Sequence, residues 1–280
     1  MTIKIVTDST CDLPQDVIRQ LGIVVVPLYI NVGSQGYLDG IDISRRQFYQ
    51  QLPDMHPHPT TAAPGHEIFR KAYEDLAAGG ATEVLSIHVS KSLSATLDVA
   101  HVAAEETTLV PVTVVDSRQL SLGTGFLVAA AARAAQQDLS MAAILDLLEQ
   151  QITRSHVFAA LDTLEFLHRS GRMNFALASF GKLLQLKPLL RMYDGNPTAE
   201  RVRTSQRALN RIVEILRELG PLEQVAIVHT NAVERANTLR RMALDLLPDG
   251  EILDVDITPV IGAHIGPGAV GFACVTKVNT

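Results

Sequence analysis

The stretch IKIVTDSTCDLP, residues 3–14, carries the pattern that decides the fold. Residues 3–6 form a short run rich in β-branched side chains, which is typical of a strand. Residues 14–20 then predict a helix, with Asp12 as its N-cap and Pro14 in its first turn. A strand that leads directly into a helix is the repeating unit of α/β proteins.

The same unit recurs through the first half of the chain. A second strand-like run is interrupted by Pro27, and Ser44 is placed to cap the helix that follows. This alternation predicts a parallel sheet with helices on both faces. The predicted strands are 23–32, 84–89 and 112–115, and the predicted helices are 44–52, 65–78, 92–106, 122–137 and 140–153.

The second half has a different pattern. Two strand-like runs, 188–193 and 199–204, are joined by DGNP, residues 194–197, and Asp-Gly favours a tight hairpin. A hairpin beside βα units predicts a mixed sheet. Further strands are expected at 157–161, 225–228, 252–259 and 270–278, the last two around a Gly-rich loop, with helices at 165–185 (broken near Gly171), 205–219 and 232–247. We therefore predict an α/β protein of two domains. Residues 1–155 form a three-layer α/β/α domain with a parallel sheet, and residues 156–280 form a two-layer α/β domain with a mixed sheet.

Composition narrows the class of protein. Of the 280 residues, 47% are hydrophobic and 19% charged, which favours a packed core over disorder. A net charge of −6 without a basic block argues against nucleic acid as a partner. The chain has no apolar run long enough for a membrane span and no secretory-signal layout, and its cysteines, Cys11 and Cys274, fit a reducing compartment. We expect a soluble, cytoplasmic protein. His56 and His58 flank a proline in a polar loop, and we expect no metal site there.

Hydroxyl side chains cluster where the predicted strands end. They occur in residues 7–10, 90–96 and 116–117, and a further pair lies at 60–61. In an open parallel sheet ligands bind outside the carboxyl ends of the strands, where helix N-termini also offer free N–H groups. The clusters therefore mark a candidate seat for a carboxylate or a phosphate. Ser, Thr and Asp are also the preferred N-caps, so each cluster has a purely structural explanation as well.

Two segments in the second half add charge and glycine. In LEFLHRSGR, residues 164–172, Arg169 and Arg172 flank a glycine, which suits an anion or acidic partner as well as a plain helix end. In HIGPG, residues 264–268, the glycines allow a tight turn that would bring His264 into a cleft. Residues 266–271 match G-x-G-x-x-G, but a strand is predicted after them where a dinucleotide site needs a helix.

In this order the segments resemble the DegV family of bacterial fatty-acid-binding proteins. Residues 7–14 are similar to the family's T-D-S-T/S-x-D-L-P, and 90–96 to S-x-x-L-S-G-T. The other matching segments are 60–64 (T-S-x-P), 116–117 (D-S), 164–172 (L-E-F-L-x-x-G-G-R) and 264–268 (H-x-G-P-G). The resemblance implies that a long-chain fatty acid is buried in the protein, with its head group on residues 1–155 and its acyl chain covered by residues 156–280.

The resemblance also implies which residues bind. Family hydroxyls that hold the carboxylate correspond to Thr61 and Ser94, and His264 would lie beside them. The chain departs from the family at Ala62, where a Ser is usual, and at Ala95, where a Gly is usual. Further candidates for contacting or supporting the head group are Ser9, Ser117 and Gly266.

Some family members present the bound acid to a separate ATP-dependent fatty acid kinase, which makes an acyl-phosphate. By resemblance, this chain is a carrier subunit in phospholipid metabolism, not an enzyme on its own. It would need no cofactor, because ATP and Mg²⁺ belong to the kinase. Arg169 and Arg172 are the candidates for phosphotransfer or docking, and His168 and Ser170 depart from the family within that segment.

Two other functions compete with the carrier. Ser94, His264 and Asp8 suggest a hydrolase triad, but the chain has no G-x-S-x-G nucleophile elbow. A phosphate- or nucleotide-binding enzyme would use the same region around Ser94 and His264. This chain lacks the P-loop motif, G-x-x-x-x-G-K-[ST], that such an enzyme would commonly use.

Overall fold

The computed structural model of the chain describes residues 2–172, 187–248, 250 and 252–278. A parallel sheet is built from the strands β1 (Ile3–Asp8), β2 (Val24–Val26), β6 (Glu83–His88) and β7 (Val112–Asp116). Their order across the sheet is β2-β1-β6-β7, so the chain changes direction of winding between β1 and β6. Such a switch point opens a crevice at the carboxyl ends of the strands.

Helices cover both faces of this sheet. On one face Ile5 packs with Leu127, and on the other Val6 packs with Tyr73. The predicted three-layer α/β/α arrangement is thereby confirmed. The helices are α1 (Gln15–Leu21), α3 (His66–Ala78), α4 (Thr96–Glu106), α5 (Leu122–Gln136) and α6 (Met141–Ile152).

A small antiparallel sheet was not predicted. It contains β3 (Tyr29–Val32), β4 (Gln35–Leu38) and β5 (Thr60–Ala62), in the order β4-β3-β5. The predicted interruption of the 23–32 stretch at Pro27 is confirmed, but only its first part belongs to the parallel sheet, because the chain leaves that sheet after Val26. Pro27 has no N–H to donate to a continued ladder. Helix α2 (Arg45–Gln51) follows, and Ser44 caps it as predicted by accepting from Gln47 N at 3.3 Å.

The second half forms a six-stranded mixed sheet, as predicted. Its order is β10-β9-β8-β13-β11-β12, and only the β11–β12 pair among these is parallel. The strands are β8 (Ser155–Ala160), β9 (Lys187–Tyr193), β10 (Asn196–Val202), β11 (Leu222–His229), β12 (Leu253–Asp256) and β13 (Val270–Thr276). The helices of this half are α7 (Glu165–Arg169), α8 (Ser205–Glu218), α9 (Val233–Met242) and α10 (Pro259–Ile265).

Helix α5 packs against both large sheets. Its apolar residues share one buried cluster with Leu85 of the parallel sheet and with Val157 and Ala273 of the mixed sheet. The other face of the mixed sheet is covered by α8 and α9, where Phe158 and Ile212 pack together. The two halves of the chain therefore meet across α5. The domain boundary at residues 155 and 156 stays a prediction.

Two local predictions concern turns. The hairpin between β9 and β10 is confirmed, and Asp194 and Gly195 both have positive φ, at 44° and 77°. Those angles are the ones that a two-residue type I′ turn requires. The predicted helix over 165–185 is confirmed only for Glu165–Arg169, and Gly171 follows with φ at 71°. Residues 173–185 of that prediction lie outside the described residues.

Two further findings concern membrane-spanning helices and metal sites. Within the described ranges, no helix is long and apolar enough to cross a membrane. The same ranges contain no group of three or more His, Cys, Asp or Glu side chains arranged to hold a metal ion. His58 instead lies 2.9 Å from the carbonyl oxygen of Ala263 through its Nε2.

Candidate functional site

A cavity of about 340 Å³ lies where the carboxyl edge of the parallel sheet meets the mixed sheet and α10. Its volume falls in the range of small-molecule sites. Most of its wall is apolar and comes from both halves of the chain. Examples are Leu28, Leu93, Leu120, Val157, Leu190 and Ile261.

Thr61 and His264 meet on this wall. Thr61 lies on β5, and its Oγ1 is 2.8 Å from Nε2 of His264 in the last turn of α10. The sequence had placed His264 in a loop, which is wrong, because a short helix that begins at Pro259 carries it. Burial, together with the nearby cation of Arg172, lowers the pKa of His264 to about 4. The imidazole is therefore neutral at pH 7, and its Nδ1 has no hydrogen-bond partner among the described residues.

Ser94 lines the same cavity at the start of α4. Its Oγ accepts from the backbone N–H of Thr96 at 3.2 Å and lies 2.8 Å from Thr96 Oγ1. Thr96 is fully buried, so this local pair fixes the direction of the Ser94 hydroxyl. If Ser94 accepts both hydrogen bonds, its own O–H remains available to a ligand.

Three other hydroxyl residues lie on the cavity wall and are not among the predicted site residues: Thr10, Ser121 and, on β10, Thr198. Thr10 follows β1, and Ser121 precedes α5. Thr10 belongs to the hydroxyl-rich stretch 7–10, which was the available signal, whereas Ser121 lies four residues beyond the stretch 116–117. The sequence alone does not show which hydroxyl of a stretch turns toward the cavity, so it does not distinguish Thr10 from Ser9 or Ser121 from Ser117.

The three supporting candidates lie outside the cavity wall. Ser9 Oγ accepts from Leu28 N at 3.2 Å, and the fully buried Ser117 Oγ lies 2.9 Å from Thr124 Oγ1. Gly266 ends α10 with φ at 74°, and a Cβ there would collide with the ring of Phe166. Gly266 therefore lets the chain turn directly after His264.

The two arginines differ in position. Arg172 lines the cavity, and its backbone N–H bonds to Leu167 O at 2.9 Å. Arg169 is exposed on α7 and forms an ion pair with Glu165. Only Arg172 is brought together with the predicted head-group residues.

Asp12 does not cap α1, so that prediction is wrong. Pro14 occupies the N-cap position without a side-chain bond. The carboxylate of Asp12 is buried instead and accepts from Thr258 N at 2.8 Å and from Ser121 Oγ at 2.7 Å, with Arg45 Nη2 at 3.1 Å. Burial raises the pKa of Asp12 to about 6 in spite of the Arg45 cation. This cluster ties the first βα turn to the segment that leads into α10.

The proposed hydrolase triad does not form. Asp8 is fully buried, and its Oδ2 lies 3.0 Å from Nδ1 of His88, not from His264. Asp8 also accepts from Val89 N at 3.1 Å. Its carboxylate therefore joins β1 to β6, while His264 is paired with Thr61.

Comparison with known proteins identifies the family of this chain. The model of a family described as "Uncharacterised protein, DegV family" matches residues 2–277. The chain belongs to the DegV family. A curated DegV domain-containing protein of Streptomyces coelicolor is 37% identical over 273 residues, which cover 96% of each chain.

Solved DegV structures share the fold. A DegV family protein of Thermus thermophilus, described as fatty-acid-binding, is 36% identical, with a TM-score of 0.91 over 99% of this chain and 100% of its own. DegV of Bacillus subtilis, described as a fatty acid binding protein, is 30% identical, with a TM-score of 0.90 over 99% of this chain and 100% of its own. The parallel and mixed sheets of this chain are therefore the DegV arrangement.

Proposed function

We propose that this DegV protein binds one long-chain fatty acid in the cavity, with the carboxylate held by the hydroxyls of Thr61 and Ser94. His264 supports Thr61 as a neutral donor from Nε2, which leaves the Thr61 O–H free for a carboxylate oxygen. One observation carries the proposal: a mostly apolar cavity of about 340 Å³ has these three polar side chains on its wall.

The energetics suit an acyl ligand. Burial of a methylene group stabilises by about 0.8 kcal/mol, so a long chain gains on the order of 10 kcal/mol before the costs of association. A buried carboxylate opposes binding unless it is hydrogen-bonded. Thr61 and Ser94 supply two such bonds, and Arg172 adds a cation on the same wall.

The relatives support the same ligand class. The Thermus thermophilus and Bacillus subtilis proteins are both described as binding fatty acid, and both match nearly the whole of this chain. The departures Ala62 and Ala95 line the cavity in this chain but leave Thr61 and Ser94 in place. At Ala62 the chain lacks one hydroxyl that could otherwise contact the head group.

We extend the proposal to a partner. The carrier presents its acid to a separate ATP-dependent kinase, which transfers the γ-phosphoryl group of ATP to a carboxylate oxygen and releases ADP. Arg172 on the cavity wall suits contact with the transferred group, and the exposed Arg169 suits docking. The carrier itself needs no cofactor. Its buried free thiols, Cys11 and Cys274, fit a cytoplasmic location.

Mass spectrometry tests the carrier proposal directly. The purified protein is measured under native and under denaturing conditions, before and after incubation with palmitate or oleate. We expect a native mass that exceeds the denatured mass by one fatty acid. A native mass equal to the denatured mass, even after incubation with both acids, would refute fatty-acid binding.

A further inference from the structure

The hydroxyls on the cavity wall differ in what they can offer a ligand. Thr10 Oγ1 donates a hydrogen bond to Asp8 Oδ1 at 2.5 Å. Burial raises the pKa of Asp8, but hydrogen bonds from His88, Thr10 and Val89 outweigh it, and the net shift is downward. An ionised carboxylate can only accept hydrogen bonds, so the Thr10 O–H stays directed at Asp8. The Thr10 oxygen can therefore only accept from a ligand.

Ser121 is held in the same way. Its Oγ donates to Asp12 Oδ2 at 2.7 Å, and it is almost fully buried. Its backbone has φ at 51° and ψ at −142°, in a region that residues other than glycine rarely adopt. Such strain persists only where the surrounding structure imposes it, and it often occurs at ligand sites. The Ser121 oxygen, like that of Thr10, keeps only acceptor capacity.

Thr61 and Ser94 have the opposite character. The backbone N–H of Thr96 donates to Ser94, and Nε2 of His264 donates to Thr61 in the tautomer proposed above, so each hydroxyl can donate a hydrogen bond to a ligand. Of the five hydroxyl residues on the wall, two can therefore donate to a ligand and two can only accept, and the fifth, Thr198, lies on β10 of the mixed sheet. A plain fatty acid carboxylate has no proton to give to the accepting pair.

We propose that the cavity favours a long-chain acid with a hydroxyl group close to its carboxyl end, and that this hydroxyl donates to Thr10 or Ser121. The proposal rests on the fatty-acid carrier function above. The expected position of the hydroxyl on the ligand follows from the topology of the parallel sheet. Thr10, Ser94 and Ser121 follow β1, β6 and β7, whose carboxyl ends lie at one edge of the parallel sheet. A hydroxyl on the α- or β-carbon is the one that lies near a carboxylate bound at Ser94.

A binding panel tests the proposal on the wild-type protein. The probes are palmitate and its α-hydroxy, β-hydroxy and ω-hydroxy derivatives, measured by calorimetry in one buffer above pH 7. One added hydrogen bond should tighten binding by about threefold to tenfold for the α- or the β-hydroxy acid. The ω-hydroxy acid should bind more weakly than palmitate, because its hydroxyl enters an apolar part of the cavity.

Variants then assign the effect to residues. Ser121→Ala and Thr10→Val should each reduce the preference for the hydroxy acid, while Thr10→Ser, which keeps the hydroxyl, should retain it. Ser92→Ala is the control, because Ser92 lies in the same loop as Ser94 but does not line the cavity. Should the variants not fold, a structure of the wild type with the preferred hydroxy acid decides the assignment. It should place the ligand hydroxyl within about 3 Å of Thr10 Oγ1 or Ser121 Oγ.

The outcomes separate this inference from the carrier function. Binding of palmitate without a gain for either the α- or the β-hydroxy acid would overturn the inference and leave the carrier intact. A gain that survives both Ser121→Ala and Thr10→Val would show that other groups recognise the hydroxyl. Binding of none of the four acids would instead overturn the carrier proposal itself.

Discussion

Thr61 Oγ1 and His264 Nε2 lie 2.8 Å apart although 203 positions separate the two residues in the chain. The hydrogen bond joins the small antiparallel sheet to α10 and fixes the position of Thr61 relative to His264 on the cavity wall. Because the imidazole is neutral, it sets the Thr61 hydroxyl without bringing a second charge to the site. The two residues therefore form one unit on the cavity wall, and in the proposed function this unit faces the carboxylate.

Removal of the Thr61 hydroxyl should weaken fatty-acid binding. Loss of a hydrogen bond to a charged group costs about 1.5–3 kcal/mol, so Thr61→Ala should reduce the affinity for palmitate about ten- to a hundredfold. Calorimetric titration checks this. Thr60→Ala is the matched control, because Thr60 is the exposed neighbour on the same strand, and it should bind palmitate as the wild type does. Equal affinity in Thr61→Ala would remove Thr61 from the site.

Ser94→Ala should weaken palmitate binding by a similar factor. The second question is whether the two hydroxyls act on the same carboxylate. In that case the double variant should lose less than the sum of the two single losses, because contacts to one group are coupled. A double-mutant cycle of dissociation constants measures the coupling. Additive losses would place Thr61 and Ser94 on different parts of the ligand.

The sequence predicted the βα order, the mixed sheet and the hairpin because each depends on local patterns. The interruption at Pro27 was expected, but the separate antiparallel sheet after it was not, since a β-branched run does not show which strands it pairs with. Asp12 was misread for a similar reason. It has the sequence position of an N-cap, but its partners Arg45, Ser121 and Thr258 are distant in the chain and only the fold brings them together.

The titration of His264 should appear in the stability curve. An unfolded His titrates near 6.5, and the folded pKa is lowered to about 4. Between these values His264 binds more protons in the unfolded than in the folded state, so this residue lowers the free energy of unfolding as the pH drops from 6.5 to 4. His264 alone should contribute about 3 kcal/mol to that fall. In His264→Gln the slope should be smaller by about one proton, as measured by urea unfolding at a series of pH values.

The residual slope in His264→Gln has other sources, which include His58, because burial lowers the pKa of His58 too. Burial and the Arg191 cation lower the pKa of His156 to about 4 as well, so His156 contributes in the same direction. The two contributions should therefore be removed in steps by His264→Gln and His156→Gln. An unchanged slope in His264→Gln would mean that His264 is not buried as a neutral group.

Gly266 should tolerate alanine much less than Gly22 does. Both glycines end a helix with positive φ, but Gly22 (φ 65°, ψ 33°) is left-handed helical, where alanine costs about 1–2 kcal/mol. Gly266 (φ 74°, ψ 173°) lies in a region that is essentially restricted to glycine, so its backbone penalty is at least as large. Only at Gly266 would the new Cβ also meet a side chain, the ring of Phe166. We expect Gly22→Ala to cost about 1 kcal/mol of unfolding free energy and Gly266→Ala about 3 kcal/mol or more.

The cause of the difference can be isolated. In a cycle with Phe166→Ala, the double variant should be more stable than the sum of the single losses by at least about 1 kcal/mol, because the collision is absent. Additivity would contradict a steric origin. The expected loss at Gly266 would then have to come from the backbone alone.

Arg45 should stabilise the protein most at neutral and alkaline pH. Its Nη2 lies 3.1 Å from the fully buried carboxylate of Asp12, while the Arg45 side chain is 33% exposed. Loss of one partner of a fully buried ion pair costs about 3–5 kcal/mol, and partial exposure of this pair lowers the expected cost to roughly 2–3 kcal/mol at pH 8. Arg45→Met should show that loss, whereas Arg46→Met, at an exposed neighbouring position, should change stability by less than about 0.5 kcal/mol.

The pH dependence gives this prediction its sign. Burial already raises the pKa of Asp12 to about 6 with Arg45 present, so removal of the cation should raise it further. A carboxyl whose folded pKa exceeds its unfolded pKa stabilises the fold at low pH and loses that contribution as the pH rises through the folded value. The deficit of Arg45→Met should therefore be larger at pH 8 than at pH 5 in denaturant titrations. A deficit equal at both values would mean that Asp12 keeps its charge without Arg45, and that the bonds from Ser121 and Thr258 are enough to hold it.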